Sequence, residues 1–303
     1  MSTPVAYFNG RYQPLSEIGL PLHDSGFVMG ATVTDLCRTF GRRLYRLADH
    51  LGRFRQSCQL ARIPLRVSAA ELTRIAQRLV QENSALLNAD EELALVVFAT
   101  PGPIGYYAGL PGGPDDGEPT LGLHTFPLPF SRYKTLFQQG AHLIVPDTRH
   151  VPAASVDPRI KTRSRLYWWL AEQEVKDQAP EATALLLDTE GQVTETVGAN
   201  FLIVQEGGVV SPPKQSILGG ISLRVVEEVC GQLAIPFAER PFTIDECLMA
   251  DEALLTSTPY CIAGVSQING EPIPWPGPVL LRLQKAWSEA VGLDICQQIL
   301  ASR

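Results

Sequence analysis

Apolar residues in this chain come in short bursts separated by turn formers, and that pattern limits the fold more than any single motif. The stretches "ELALVVFAT", "PTLGLHTF", "GAHLIVP", "ATALLLD", "GANFLIVQ", "GVVSPP", "IPFAERPF", "EALLTST" and "YCIAGVSQING" are strand-sized. None is long enough to span a bilayer. Helical patterns separate them. "LADHLGRFRQSCQLARI" puts Leu47, Leu51, Phe54, Cys58 and Ala61 on one stripe. "SAAELTRIAQRLVQEN" opens with a capping box, Ser68 with Glu71. "RSRLYWWLAEQEVKD", "ISLRVVEEVCGQLA" and a last helix over roughly 278–300 complete the set. Strands that run in series as well as alternating with helices predict an α+β fold, not a doubly wound sheet.

Two hairpins start the chain. "VAYFNGRYQPL" has Asn-Gly between strands, and "ATVTDLCRTFGRRLYRL" turns at Gly41. Farther on, "PGPIGYYAGLPGGPDDGEP" is too rich in proline and glycine for regular structure, and loops of this kind are functional or disordered. "FPLPFSRY" has linker composition. The expected organisation is a small N-terminal α/β domain over 1–126, a linker over 127–133 and a larger, β-rich C-terminal domain over 134–303.

At 303 residues the chain can hold two cores. Its 45% apolar and 19% charged residues are ordinary for a soluble globular protein. A net charge of −7 without a basic block argues against nucleic acid as partner, and no membrane role is expected. The start, "MSTPVAYFNGRY", lacks the features of a signal peptide. Six scattered cysteines with no metal spacing read as reduced thiols, so no metal and a cytoplasmic location are expected.

Four stretches could carry chemistry. In "DPRIKTRSRLYWWL", Lys161 stands among three arginines, in a chain with five lysines against twenty arginines. A guanidinium cannot act as nucleophile or base, whereas a lysine amine can. The bland alternative is a solvated surface lysine. In "DTEGQVTETVGANFLIV", Glu195 and Asn200 flank a glycine-containing turn; Glu195 is either a turn cap or a buried acid that pairs with a protonated ligand nitrogen. In "SILGGISLRVVEE", Gly219 and Gly220 lead into a helix whose first turn offers the N–H groups of Ile221 and Ser222 and the Ser222 hydroxyl, an anion site in outline. "LLTSTPY" ends a strand with three hydroxyl residues, suited to a turn or a phosphate cup. An amine, an acid and two anion-binding turns are the parts of a pyridoxal 5'-phosphate site.

With these segments in order, the chain resembles the class IV, or fold-type IV, pyridoxal-phosphate enzymes: branched-chain aminotransferases, D-amino-acid aminotransferases and aminodeoxychorismate lyases. "VTETVGANFLIV" matches the family's Glu-x-x-x-x-Asn-Phe signature, and "IKTRSRL" stands where the family has its Schiff-base lysine. "ADHLGRFRQSC" is similar to its His-x-x-Arg helix, "ILGGISLR" to its Leu-x-Gly-Ile-Thr-Arg segment and "ADEALLTST" to its Ala-Asp-Glu strand. The resemblance implies that Lys161 holds the cofactor and moves the Cα proton, and that Glu195 pairs with the pyridine nitrogen with Asn200 in support. Arg53, Gly220, the N–H groups of Ile221 and Ser222, and Thr258 would hold the phosphate. It also implies a cofactor between the two domains, and a homodimer whose partner subunit helps wall the site.

Departures bear on substrate. Leu166 stands where branched-chain enzymes have a tyrosine, with Tyr167 next to it, and Arg165 resembles a lyase feature. "ATPGPIGYY" has neither the arginine nor the histidine of the D-amino-acid enzymes' carboxylate trap. Pro259 lacks the N–H that branched-chain enzymes offer to the α-carboxylate. Thr34, Arg38, Arg165 and Pro259 are the substrate candidates, with Tyr106 and Tyr107 in the glycine-rich loop; Arg38 is alternatively a structural ion-pair partner. The expected reaction is amino transfer between an amino acid and a 2-oxo acid, branched-chain-like. The alternatives are lyase chemistry on aminodeoxychorismate and a non-catalytic cofactor binder.

Overall fold

The computed structural model describes residues 3–109 and 118–302. The chain divides into two compact units, Met1–Leu128 with Ile160–Ser164, and Pro129–Arg159 with Arg165–Arg303. Ile160–Ser164 thus packs with the first unit although it lies within the span of the second. Lys161, which the sequence reading assigns to the C-terminal part, is in this segment.

In the first unit, β1 (Val5–Phe8) and β2 (Arg11–Pro14) form the Asn-Gly hairpin. Asn9 and Gly10 have φ of 44° and 88°, the left-handed pair that a two-residue turn needs. β3 (Val33–Phe40) and β4 (Arg43–Leu44) form the second hairpin, and β5 (Leu93–Thr100) with β6 (Thr120–Pro127) completes an antiparallel sheet in the order β2-β1-β6-β5-β3-β4. After the short α1 (Ser25–Val28) come α2 (Leu47–Leu60) and α3 (Ala69–Asn83). Their stripe residues Leu51, Phe54, Cys58, Leu72, Ile75 and Leu79 form one core with alternate residues of β5, Leu93, Leu95, Val97 and Ala99. That is a period of 3.6 packed against a period of two. Ala61, on the expected stripe, falls at the C-cap of α2. The Ser68 hydroxyl accepts from Glu71 N–H, as an N-cap should. Within the proline- and glycine-rich loop, Gly105–Ala108 makes a 3₁₀ turn, and 110–117 lies outside the described residues.

The second unit begins with a 3₁₀ turn, Phe130–Tyr133, and α4 (Lys134–Gln139). It continues with β7 (Ala141–Ile144), α5 (Leu166–Gln178), β8 (Thr183–Leu187), β9 (Val193–Thr196), β10 (Asn200–Gln205) and β11 (Gly208–Ser211). Then come α6 (Ile221–Gln232), β12 (Phe237–Glu239), α7 (Ile244–Leu248), β13 (Glu252–Ser257), β14 (Cys261–Ile268), β15 (Glu271–Pro272), α8 (Pro278–Val291) and α9 (Ile295–Leu300). The strands order as β12-β11-β10-β13-β14-β7-β8-β9, and β9 pairs back onto β10, so six of them close a ring. That closure is one rung wide: Asn200 opposite Glu195.

Three features depart from the sequence reading. α4 and α7 are too short to show a helical period, although Thr243 and Glu246 complete a capping box at α7. The expected final helix is two. Gly292 takes φ 72° as the C-cap of α8, and the Asp294 carboxylate accepts from Cys296 and Gln297 N–H to start α9.

Candidate active site

Lys161 is fixed by its backbone. Its N–H donates to the Ser57 hydroxyl on α2 at 3.1 Å, its C=O accepts from Thr34 N–H at 2.9 Å, and Arg163 N–H donates to Thr32 C=O at 2.8 Å. The segment therefore lies along the start of β3, joined by an isolated antiparallel bridge between Val33 and Thr162. Movement of the amine is left to its four-carbon stem. The same unit holds a buried ionic cluster. The Asp35 carboxylate accepts from Arg53 through Nε at 2.8 Å and Nη2 at 2.9 Å, from His50 Nδ1 at 2.8 Å and from Leu36 N–H at 2.8 Å.

Burial by itself would raise the Asp35 pKa, but the Arg53 guanidinium and the His50 hydrogen bond outweigh it and hold the carboxyl well below the usual range. Burial pushes the His50 pKa down against the pull of Asp35, and the charges of Arg53 and Lys161 add to the lowering. A neutral His50 then donates Nδ1–H to Asp35. Two parallel N–H bonds to one buried carboxylate fix the plane of the Arg53 guanidinium.

The acid is held at the ring closure. Asn200 Nδ2 donates to Glu195 Oε2 at 3.0 Å and to Leu218 C=O at 2.9 Å, and Leu218 N–H donates to the same Glu195 oxygen at 3.3 Å. His150 Nε2 stands 3.6 Å from Glu195 Oε1. The His150 ring packs edge-on against Tyr167 and Trp168. Burial, reinforced by the Glu195 charge, pushes the Tyr167 phenol up to about 12. Arg165, at the N-cap of α5, donates from Nη1 to Val197 C=O at 3.1 Å, and the Ser257 hydroxyl donates to Gly198 C=O at 2.6 Å. The β9–β10 turn is thus gripped from both sides.

The glycine pair has a structural reason. A Cβ on Gly220 would lie 2.0 Å from Asn200 Oδ1, so glycine lets the turn lie flat on the side chain that holds Glu195. As N-cap of α6, Gly220 supplies no side-chain acceptor to the first-turn N–H groups. Ile221 and Ser222 are buried there. On β13, Thr256 Oγ1 is buried and meets no hydrogen-bond partner among the described residues. An uncapped helix start, a glycine that admits no Cβ and an orphan hydroxyl suit a phosphate-bearing cofactor. Thr258 and Pro259 lie in the turn after β13, Thr258 half-buried.

Among the substrate candidates, Thr34 Oγ1 donates to Val97 C=O at 2.9 Å and faces Arg163 Nη2 at 3.4 Å. Arg38 is buried, lies over the Phe40 ring at 3.8 Å and donates to Thr39 C=O. Leu166, in place of the branched-chain tyrosine, is 70% exposed, while the Tyr167 phenol feels the Glu195 charge. Tyr106 and Tyr107 are exposed. Sequence reasoning did not single out Asp35, Ser57 or His150; it met His50 only inside the His-x-x-Arg match and Thr256 only inside the hydroxyl run of "LLTSTPY". His50, Arg53 and Ser57 recur at helical spacing, a polar stripe that could have been seen; nothing links His150 to Glu195 along the chain.

Comparison with known proteins identifies the family. The family model described as amino-transferase class IV matches residues 32–268. A D-alanine aminotransferase of Bacillus licheniformis is 29% identical, covering 94% of this chain and 96% of that protein. A branched-chain amino acid aminotransferase of T.th., solved with pyridoxamine 5'-phosphate, is 25% identical, with a TM-score of 0.82 over 96% of this chain and 95% of that one. The same enzyme, solved with N-(5'-phosphopyridoxyl)-L-glutamate, gives the same score. The chain belongs to the class IV aminotransferases, a fold-type IV family whose cofactor is pyridoxal phosphate.

Proposed function

We propose that this enzyme moves an amino group between a branched-chain-like amino acid and a 2-oxo acid, with Lys161 as covalent anchor of the cofactor. The observation that carries the reading is the Glu195 carboxylate, oriented by Asn200 and Leu218 and sited beside the glycine turn that opens α6. When bound, pyridoxal phosphate supplies an electron sink for the pair left on Cα as its proton departs. Glu195 holds a proton on the ring nitrogen, since a carboxylate beside a basic nitrogen favours its charged form. Lys161, fixed by Ser57 and Thr34 at its backbone, takes the Cα proton and returns it on the far side of the transfer; the tether supplies the proximity. Arg53, the N–H groups of Ile221 and Ser222, and Thr258 hold the phosphate, with Gly220 giving Asn200 its room.

Likeness to the branched-chain enzyme, and a loop over Ala99–Tyr107 with neither arginine nor histidine, support an apolar donor. Arg38 and Thr34 line substrate from β3, and Arg165 and Pro259 shape the turns near Glu195 and Thr258. The working unit is a homodimer in the cytoplasm; the exposed Leu22, Phe27 and Met29 supply apolar surface for a second subunit.

The test is borohydride reduction of the loaded protein, followed by peptide mass analysis, with L- and D-amino donors then screened against 2-oxo acids. The added mass should fall on the Lys161 peptide and vanish in Lys161→Ala. Amino transfer from L-leucine or L-valine should be the fastest. Multiple-turnover pyruvate release from aminodeoxychorismate without any 2-oxo acceptor would refute amino transfer in favour of a lyase.

A further inference from the structure

The β10–β13 ladder places Thr256 directly opposite Asn200, Leu254 opposite Leu202 and Glu252 opposite Val204. Paired residues in an antiparallel ladder leave the sheet on the same face. On this face the other polar side chains are committed. Glu252 accepts from Val279 and Leu280 N–H at the start of α8, and Asn200 donates to Glu195 and Leu218. Thr256, 2% exposed, has a hydroxyl with no partner among the described residues. A buried, unsatisfied hydroxyl is costly, and a ligand oxygen brought to it would relieve that cost.

What covers this end of the face is the turn into α6. Leu218 is bonded to Asn200, and Gly220 lies against the same side chain. The N–H groups of Ile221 and Ser222 follow, without a side-chain cap from Gly220. Donors gathered at a helix start favour an anion, and a threonine hydroxyl on the face beneath can add one donor more. We infer that Thr256 is a phosphate-binding residue of this enzyme: its hydroxyl donates to an oxygen of the cofactor's phosphate monoester. This rests on the proposed function, and it picks out of the hydroxyl run in "LLTSTPY" a residue that the phosphate-holding set, with Thr258, did not include.

The experiment compares wild type, Thr256→Val and Thr256→Ser as cofactor-free proteins. Pyridoxal 5'-phosphate and pyridoxal, which lacks the phosphate, are titrated by absorbance, and each apo-protein is melted. Valine keeps the shape and removes the unsatisfied hydroxyl, so the Thr256→Val apo-protein should melt at or above the wild-type temperature. Its Kd for pyridoxal 5'-phosphate should rise about tenfold or more, the loss expected for a hydrogen bond to a charged group. Its Kd for pyridoxal should stay at the wild-type value, and Thr256→Ser should bind both compounds as wild type does.

A Thr256→Val protein that binds the phosphorylated cofactor within about twofold of wild type would overturn the inference, on a scale where tenfold is about 1.4 kcal/mol. So would equal loss of affinity for both compounds, or a lowered apo melting temperature. A wild type that takes up no pyridoxal 5'-phosphate at all would instead overturn the proposed function, so the two failures are separable.

Discussion

Replacing Gly220 by alanine should break the support of the Glu195 carboxylate without touching that carboxylate itself. The backbone there is ordinary, with φ −63°, so the whole effect beyond capping comes from the Cβ, which would lie 2.0 Å from Asn200 Oδ1 and 3.2 Å from its Cγ. Asn200 is short and donates to Glu195 and Leu218 from the same Nδ2, so displacing its amide breaks both bonds. The first is to a carboxylate and is worth about 1.5–3 kcal/mol, the second about 1 kcal/mol. Alanine is also a poorer N-cap than glycine, by about 0.5–1 kcal/mol. Gly220→Ala should therefore cost about 3–5 kcal/mol in total.

In an Asn200→Ala background the clash with Asn200 is gone, and only the capping cost and the 3.3 Å approach to Leu223 Cβ should remain. Urea unfolding of the four apo-proteins gives the coupling between the two sites, expected at about 2–4 kcal/mol. A coupling below about 0.5 kcal/mol, the size of ordinary additivity error, would refute the contact as the reason for glycine.

Other outcomes follow from the same residues. Asp35→Asn leaves Arg53 buried beside a neutral partner and should cost about 3–5 kcal/mol, read as a shift in urea midpoint. Acid should weaken the first unit in two stages. The depressed His50 pKa means the unfolded chain binds its proton first as pH falls below about 6.5, and the depressed Asp35 pKa does the same below about 4. Stability present above those values is lost beneath them, and Asp35→Asn should abolish the lower stage in a pH series of unfolding midpoints. Phe54→Ala empties a fully buried position between α2 and the sheet and should cost about 3–5 kcal/mol by calorimetry or urea.

Much of the architecture was legible because the signals were local. The Asn9–Gly10 turn, the Ser68 cap and the alternation of β5 each appear in the structure where the chain announces them. Short helices were not legible, since five or six residues complete too little of a period. The break between the last two helices was overlooked although Gly292 and Asp294, its stop and start signals, were both in view. For the candidate site, the sequence singled out the groups proposed to carry chemistry but not those that hold them. Asp35 pairs with Arg53 on a different element, and His150 approaches Glu195 from a distant loop. Such partnerships are set by which strand faces which helix, a tertiary fact that no local pattern encodes.

The single rung between Glu195 and Asn200 has a consequence for motion. β9 and β10 touch once and then part to different neighbours, so the ring of strands has a seam that few backbone bonds keep shut. Local opening needs only the bonds that cross it, and seams of this kind open far more often than a sheet interior does. Amide exchange at Ala199 and Asn200 should therefore outpace that at Leu202 and Ile203, and slow on cofactor uptake. The carboxylate proposed to pair with the ring nitrogen would then also be the latch of the ring of strands.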